Sequence, residues 1–232
     1  MITRIIFQNT ATERKNNMAL IKTRGVILKV RDFKERDKLL YMFTLEQGKV
    51  TAIAKGVRSA KGRFQAAAQP MMLCDFVLFE GKNIHSLNEV SVVHGFPHIK
   101  TDFDRITYGS YFLELADIAM AHKEINQSYF LDLVKSLYLL DQPGIQVEQL
   151  ARAFEMKTLV RTGNLPDPAL AEGMTESARH NVRIMLNKPI EEALQLLVSQ
   201  ADLKSIAELT DGILKECFQR RPKSLAILNG TY

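Results

Sequence analysis

From residue 25 to residue 94 the hydrophobic positions recur every second residue in short runs. Val26, Leu28 and Val30 alternate with Ile27, Lys29 and Arg31, which predicts a half-buried strand over 25–31 with a basic outer face. A charged turn at 32–37 leads to a second strand over 39–44. Gln47-Gly48 supplies a residue tolerant of positive φ and closes a hairpin onto a third strand over 49–55. There Val50, Ala52 and Ala54 face in, and Lys49, Thr51, Ile53 and Lys55 face out. Residues 72–80 and 84–94 read as a second hairpin around Gly81-Lys82-Asn83. A Gly/Ala/Lys/Arg-rich connection over 56–69 separates the third and fourth strands. Five short strands with one long link between the third and fourth predict a small closed barrel of the OB type, with an SH3-like barrel the nearest alternative.

From Pro97 the period changes from two to 3.6. Tyr108, Tyr111, Phe112 and Leu115 share one helical stripe, and Thr101 with Asp104 marks a start upstream of it. Phe130, Leu133, Val134 and Leu137 form a second stripe, and Val147, Leu150, Phe154 and Thr158 a third that stops at Gly163. Thr175 opens a further helix after the break at Pro166 and Pro168. Pro189 opens one carrying Ile190, Ala193, Leu194, Leu197 and Val198. Ile206, Leu209, Ile213 and Cys217 mark the last. The fold class is thus α+β in two domains: an OB-type barrel over 20–97 and an α-helical domain over 98–232. Residues 1–19 read as a disordered extension, and the ordered pattern begins only after Met18, a second candidate start.

Charge sharpens this picture. Residues 22–63 hold twelve Lys/Arg against four Asp/Glu, whereas residues 65–232 hold sixteen against twenty-one. The net +5 of the chain therefore conceals a strongly polarised molecule. A concentrated positive face on a small β-domain is an electrostatic footprint for a polyanion, most often nucleic acid. No apolar run approaches the ~20 residues that would span a bilayer, and the first nineteen lack the apolar core of a secretory signal. Two cysteines, Cys74 and Cys217, far apart and in apolar surroundings, suit a reducing cytosol rather than a disulfide framework.

No catalytic constellation stands out, and the chain does not read as an enzyme. A phosphate-cradling glycine loop followed by Lys-Ser/Thr is missing. Pro97 between His94 and His98 breaks helical metal-ligand spacing, so a site built from these with Cys74, His85 and Asp102 is disfavoured. Cys217, on an apolar stripe, reads as a small buried hydrophobe. Neither a metal nor another cofactor is expected.

Several of these segments carry a family likeness. Gly25-Val26-Ile27-Leu28, Glu35-Arg36-Asp37-Lys38, Phe43-Thr44, Gly48-Lys49, Ala54-Lys55-Gly56-Val57-Arg58 and Gln69-Pro70 resemble the N-terminal domain of RecO, a bacterial recombination mediator. The likeness continues through Phe79, Glu89, the run from Tyr108 to Leu115, and Arg220-Arg221-Pro222-Lys223-Ser224-Leu225. It implies an OB-fold followed by helices, binding of single- and double-stranded DNA, and annealing of complementary strands in the cytoplasm at the nucleoid. It also implies loading of the RecA recombinase, together with RecR, onto strands coated by single-stranded-DNA-binding protein. The C-terminal tail of that protein would enter a hydrophobic groove among the helices. Many RecO proteins carry a four-cysteine zinc module near the position of residues 164–174, where this chain has no cysteine. A shortened, metal-free loop is expected there.

The candidate DNA-binding residues are cations able to track a phosphate backbone. Arg31, Lys34, Arg36 and Lys38 surround the first turn, and Lys55, Arg58, Lys61 and Arg63 come from the third strand and the long connection. Arg36 and Lys38 have a competing role as partners of Glu35 and Asp37. Phe33, Tyr41 and Phe64 are the aromatic candidates for base stacking. Tyr41, inside an apolar run, is assigned to the core, and Phe64, between Arg63 and Gln65, is the preferred stacking residue. The alternative function is a non-catalytic adaptor or RNA-binding module whose basic barrel contacts an acidic partner.

Overall fold

The computed structural model describes residues 13–15, 18–59, 64–165, 173–218 and 222–224. The chain divides into two compact units, one of residues 1–96 with 120–130, the other of 97–119 with 131–232.

In the first unit, strand β1 (Glu13–Lys15) precedes β2 (Met18–Phe33), β3 (Asp37–Thr44), β4 (Gly48–Ala54), β5 (Leu73–Phe79) and β6 (His85–His94). Strand β2 is used twice. Its first half pairs antiparallel with β5, from Leu20↔Phe79 to Val26↔Leu73. Its second half pairs with β3, from Gly25↔Thr44 to Phe33↔Asp37. Strand β3 continues antiparallel to β4, β4 runs parallel to β6, and β6 pairs antiparallel with β5. The ring β2–β3–β4–β6–β5 is therefore closed, with the topology of an OB-fold. Strand β1 lies on the start of β2, in register Glu13↔Leu20. The extension expected to be disordered through residue 19 thus contributes strand at 13–15 and 18–19, while residues 1–12 lie outside the described ones.

Along β4 the expected alternation holds. Val50, Ala52 and Ala54 are buried, with half-buried residues between them. In β2 it does not. The register shifts between Ile27 and Lys29, so Leu28 is an extra residue on this strand. Ile21 and Ile27 consequently belong to the barrel core, and Val30 packs against it. Ile27 was expected on the outer face; the bulge is the reason for the difference. The core is filled by Leu40, Met42, Val50, Phe76 and Leu78, among others. Part of the long connection serves as its plug, because Phe64, Ala67 and Ala68 are buried in the same cluster.

Segment 120–130 returns to this unit. Phe43 is fully buried, with its ring 5.9 Å from that of Tyr129 and 5.7 Å from that of Phe130. The Lys123 N–H donates to the Lys49 carbonyl at 2.8 Å, and its ammonium reaches the Lys82 carbonyl at 3.1 Å. This docking depends on Gly48, whose φ is +64° and whose absent Cβ would stand 2.0 Å from the Glu124 carbonyl oxygen.

In the second unit, Phe103–Ala119 (α1), Gln127–Leu140 (α2, from residue 131), Val147–Arg161 (α3), Glu176–Asn187 (α4), Ile190–Ala193 (α5) and Gln200–Cys217 (α6) follow in order. Helix α3 packs against α1, α4, α5 and α6, so even polar Gln149, Glu155, Lys157 and Thr158 are buried. The Glu155 carboxylate accepts from the Tyr111 hydroxyl on α1 and the Thr210 hydroxyl on α6, both at 2.6 Å, and pairs with Arg152 at 3.0 Å. The Gln149 amide donates to the Ala193 carbonyl, and the Lys157 ammonium to the Leu186 carbonyl, each at 2.8 Å. Thr175 caps α4 as expected, its hydroxyl accepting from the Ala178 N–H. Two helix boundaries differ from expectation. Asp102, rather than Thr101, receives a first-turn N–H of α1, that of Arg105. The helix opened by Pro189 stops at Ala193, leaving Leu197 fully exposed. Cys217 is also exposed at the end of α6, contrary to its reading as a buried hydrophobe.

Replacing Gly48 by Ala meets both the left-handed backbone and the Glu124 carbonyl. The expected loss is on the order of 2–3 kcal/mol, read as a lower melting temperature. Gly56→Ala, with φ +68° but open space around it, is the control and costs about 1–2 kcal/mol.

His85 supplies a pH test of the same unit. Burial holds its imidazole below the ordinary value of 6.5, and nearby Lys123 adds to the effect. Just below pH 6.5 the folded chain therefore binds fewer protons than the unfolded one. The residue's contribution is present above pH 6.5 and lost as pH falls through the folded value. Melting curves at pH 7.5 and 5.5 are expected to separate more for the parent than for His85→Gln.

Candidate nucleic-acid interface

The outer face of β2, β3 and β4 forms a small grid. Lys29 lies opposite Tyr41, which lies opposite Thr51; one step along, Arg31, Leu39 and Ile53 are aligned in the same way. These positions are half-buried or exposed, while Leu40, Met42, Val50, Ala52 and Ala54 between them are buried. The alternation follows from the pleat: residues of one parity fill the barrel, and those of the other carry whatever the outside needs. Further down, Phe43 also points outward but is covered by Tyr129 and Phe130. The open part of the face thus begins at the level of Tyr41.

The first turn and the start of the long connection meet at its upper rim. The Arg58 N–H donates to the Arg36 carbonyl at 3.0 Å, and the Gly56 N–H to the Asp37 carboxylate at 2.9 Å. The Arg58 guanidinium reaches the Lys34 carbonyl at 3.4 Å and the Asp32 carboxylate at 3.5 Å. Lys34, Arg36, Lys55 and Arg58 are exposed and Lys38 is half-buried, so two sequence segments pool their cations on one rim. The Arg58–Asp32 pair is exposed on both sides and holds Arg58 only weakly. Asp37 is engaged by a backbone N–H, and among the described residues neither Arg36 nor Lys38 is ion-paired. The expected competition from Glu35 and Asp37 is therefore not the arrangement found.

Of the nine expected DNA-binding residues, Arg31 lies on this face, and Lys34, Arg36, Lys55 and Arg58 lie where the first turn meets the long connection; Lys38 has the interior parity of Leu40, in register with Ala54, and is half-buried at the barrel end. Lys61 and Arg63 lie outside the described residues. Phe64 is a correction: it is 8% exposed within the barrel core, and a ring so buried has no face to offer a base. Tyr41 is the converse correction. Expected in the core, it lies half-buried on the outer face, with the Arg31 guanidinium 5.8 Å from its ring centroid. Period two applied from Leu40 and Met42 would have placed it there. Lys29 was also missed, although its neighbours were chosen. Phe33 carries the Lys34 ammonium 5.4 Å from its ring centroid.

Among the described residues no three His, Cys, Asp or Glu side chains are grouped to hold a metal ion. Cys74 is buried in β5, the His85 ring accepts the Gly81 N–H, and the His94 ring accepts the Phe96 N–H. Residues 166–172, within the expected position of a zinc module, lie outside the described ones. The Cys217 thiol is pushed up by desolvation and by Glu216, which disfavours a thiolate. No helix among the described residues is long and apolar enough to cross a membrane.

The chain is similar to known proteins along most of its length. Residues 18–96 match the family model described as Recombination protein O N terminal, and residues 100–169 match Recombination protein O C terminal. The DNA repair protein RecO of Clostridium novyi is 32% identical over 242 residues, covering 91% of this chain and 94% of the relative. That of Clostridium perfringens strain 13 is 31% identical, covering 91% and 98%. That of Symbiobacterium thermophilum is 35% identical over 161 residues, covering 69% and 64%.

Proposed function

Because the chain belongs to the RecO family of DNA repair and recombination proteins, we propose that its basic barrel face binds DNA without reading sequence, anneals complementary strands, and helps load a RecA-type recombinase. The observation that carries this reading is the meeting of the first turn with the long connection, which brings exposed Lys34, Arg36, Lys55 and Arg58 to one end of the barrel, beside the strand that carries Lys29 and Arg31. Cations so spaced neutralise phosphates of either a single strand or a duplex. Annealing asks only that two strands be concentrated and their mutual repulsion screened, so no side chain has to act in a chemical step. The acidic second unit suits protein contacts better than DNA contacts. RecR and the C-terminal tail of single-stranded-DNA-binding protein are the proposed partners, in the cytoplasm at the nucleoid.

Replacement of Lys34, Lys55 and Arg58 by Ala tests this reading. All three are exposed, so folding should be preserved, with each change costing within about half a kcal/mol. Single-strand affinity should fall, and the log–log salt slope should become shallower by about 0.7 for each phosphate left without its cation. Annealing of complementary oligonucleotides should slow, while a peptide of the single-stranded-DNA-binding protein tail should bind as it does to the parent. A folded variant with unchanged DNA affinity would place the DNA elsewhere.

A further inference from the structure

The cations of the rim do not by themselves distinguish one strand from two, since both present phosphates. The middle of the face differs in chemistry. Leu39, Tyr41 and Ile53 form a half-buried apolar strip flanked by Lys29 and Arg31 on β2 and by Lys55 beyond β4. Such a strip has nothing to offer a duplex, whose bases are stacked inside it. It suits a strand whose phosphates rest on the flanking cations while its bases turn inward.

Tyr41 is the one aromatic ring within that strip. Its hydroxyphenyl group is half-buried on the solvent side of β3, and the exposed Arg31 guanidinium lies 5.8 Å from its centroid. The guanidinium lies over the ring, on the side from which a base would approach. This placement leaves Arg31 able to stack over a base on Tyr41 or to move aside to a phosphate, because its side chain is exposed. Phe33 and Lys34 repeat the aromatic–cation pairing nearer the rim, at 5.4 Å.

We propose that Tyr41, with Arg31 beside its ring, is a base-stacking element that makes the barrel prefer strands with exposed bases over duplex. The proposal rests on the DNA-binding reading above and adds to it the strand type that the face selects. Stacking on an aromatic side chain tolerates every base, so the preference is for unpaired bases and not for a sequence.

The test uses the full chain with Tyr41→Ala, Tyr41→Leu and Tyr41→Phe. Leu keeps an apolar group on the strand and guards against unfolding, with melting curves as the check. Each is titrated with a mixed-sequence oligonucleotide carrying 2-aminopurine, with the duplex of the same sequence, and with an abasic strand of the same length. The Ala and Leu variants should bind the single strand roughly 5- to 150-fold more weakly, the range expected for loss of one stacked base. Their single-strand salt slope should be unchanged, because every cation that neutralises a phosphate is still present. Duplex and abasic binding should match the parent, and 2-aminopurine quenching should be lost. Tyr41→Phe should retain the parent's behaviour throughout. Equal single-strand affinity in parent and folded Leu variant would overturn the proposal while leaving the basic face in place. Equal weakening toward all three nucleic acids would also overturn it, by making Tyr41 a support of the strand. A parent chain that binds none of the three would overturn both the proposal and the reading beneath it.

Discussion

The structure of the first unit depends on β2 holding two neighbours at once. One strand of sixteen residues hydrogen-bonds to β5 through its first half and to β3 through its second, and around Gly25 and Val26 it bonds to both. Without this shared strand the sheet would have two open edges and no enclosed volume. With it, side chains of one parity are committed to the interior. Those of the other parity on β2, β3 and β4 are relieved of packing duty and can carry Lys29, Arg31 and Tyr41. Hydrogen-bond closure is thus what makes a basic outer face compatible with so small a core.

The second unit solves a different problem. Helix α3 packs against four others, so its buried polar residues Gln149, Glu155 and Lys157 are cut off from water and find partners on neighbouring helices. Glu155 binds hydroxyls from α1 and α6 along with Arg152. Removing one partner would strand a buried charge, which is a heavier penalty than the pair's own net worth. These contacts act more as registration pins than as a source of stability. They fix which helix faces which, where apolar stripes alone would permit sliding.

Much of this was legible in the chain. The alternation Val50, Ala52, Ala54 identified β4, and Gln47-Gly48 identified its turn, because both follow from local rules of pleat and backbone freedom. The pooling of two basic segments was expected from charge. Most of what escaped had non-local causes, Tyr41 excepted. The extra residue in β2 leaves no mark in hydropathy, since Ile27 and Leu28 are equally apolar. Phe64 was judged by its charged neighbours, yet burial is decided by the void that a barrel end presents. Tyr41 was judged by the apolar run around it, although strict parity with Leu40 and Met42 would have turned it outward. Cys217 lay on an apolar stripe, but no described residue covers the last turn of α6 well enough to bury it.

The return of segment 120–130 to the barrel has a consequence for the order in which the chain is made. Phe43 leaves the ribosome early, but Tyr129 and Phe130, the rings that cover it, are separated from it by the whole of α1. A nascent barrel can close its hydrogen-bond ring once β6 has emerged, yet it must then wait with an aromatic side chain uncovered on its outer surface. Synthesis proceeds at roughly 5–20 residues per second, so this interval lasts on the order of seconds. During it the barrel is a closed but unfinished body. Its last covering rings arrive only after the second unit's first helix has already been made.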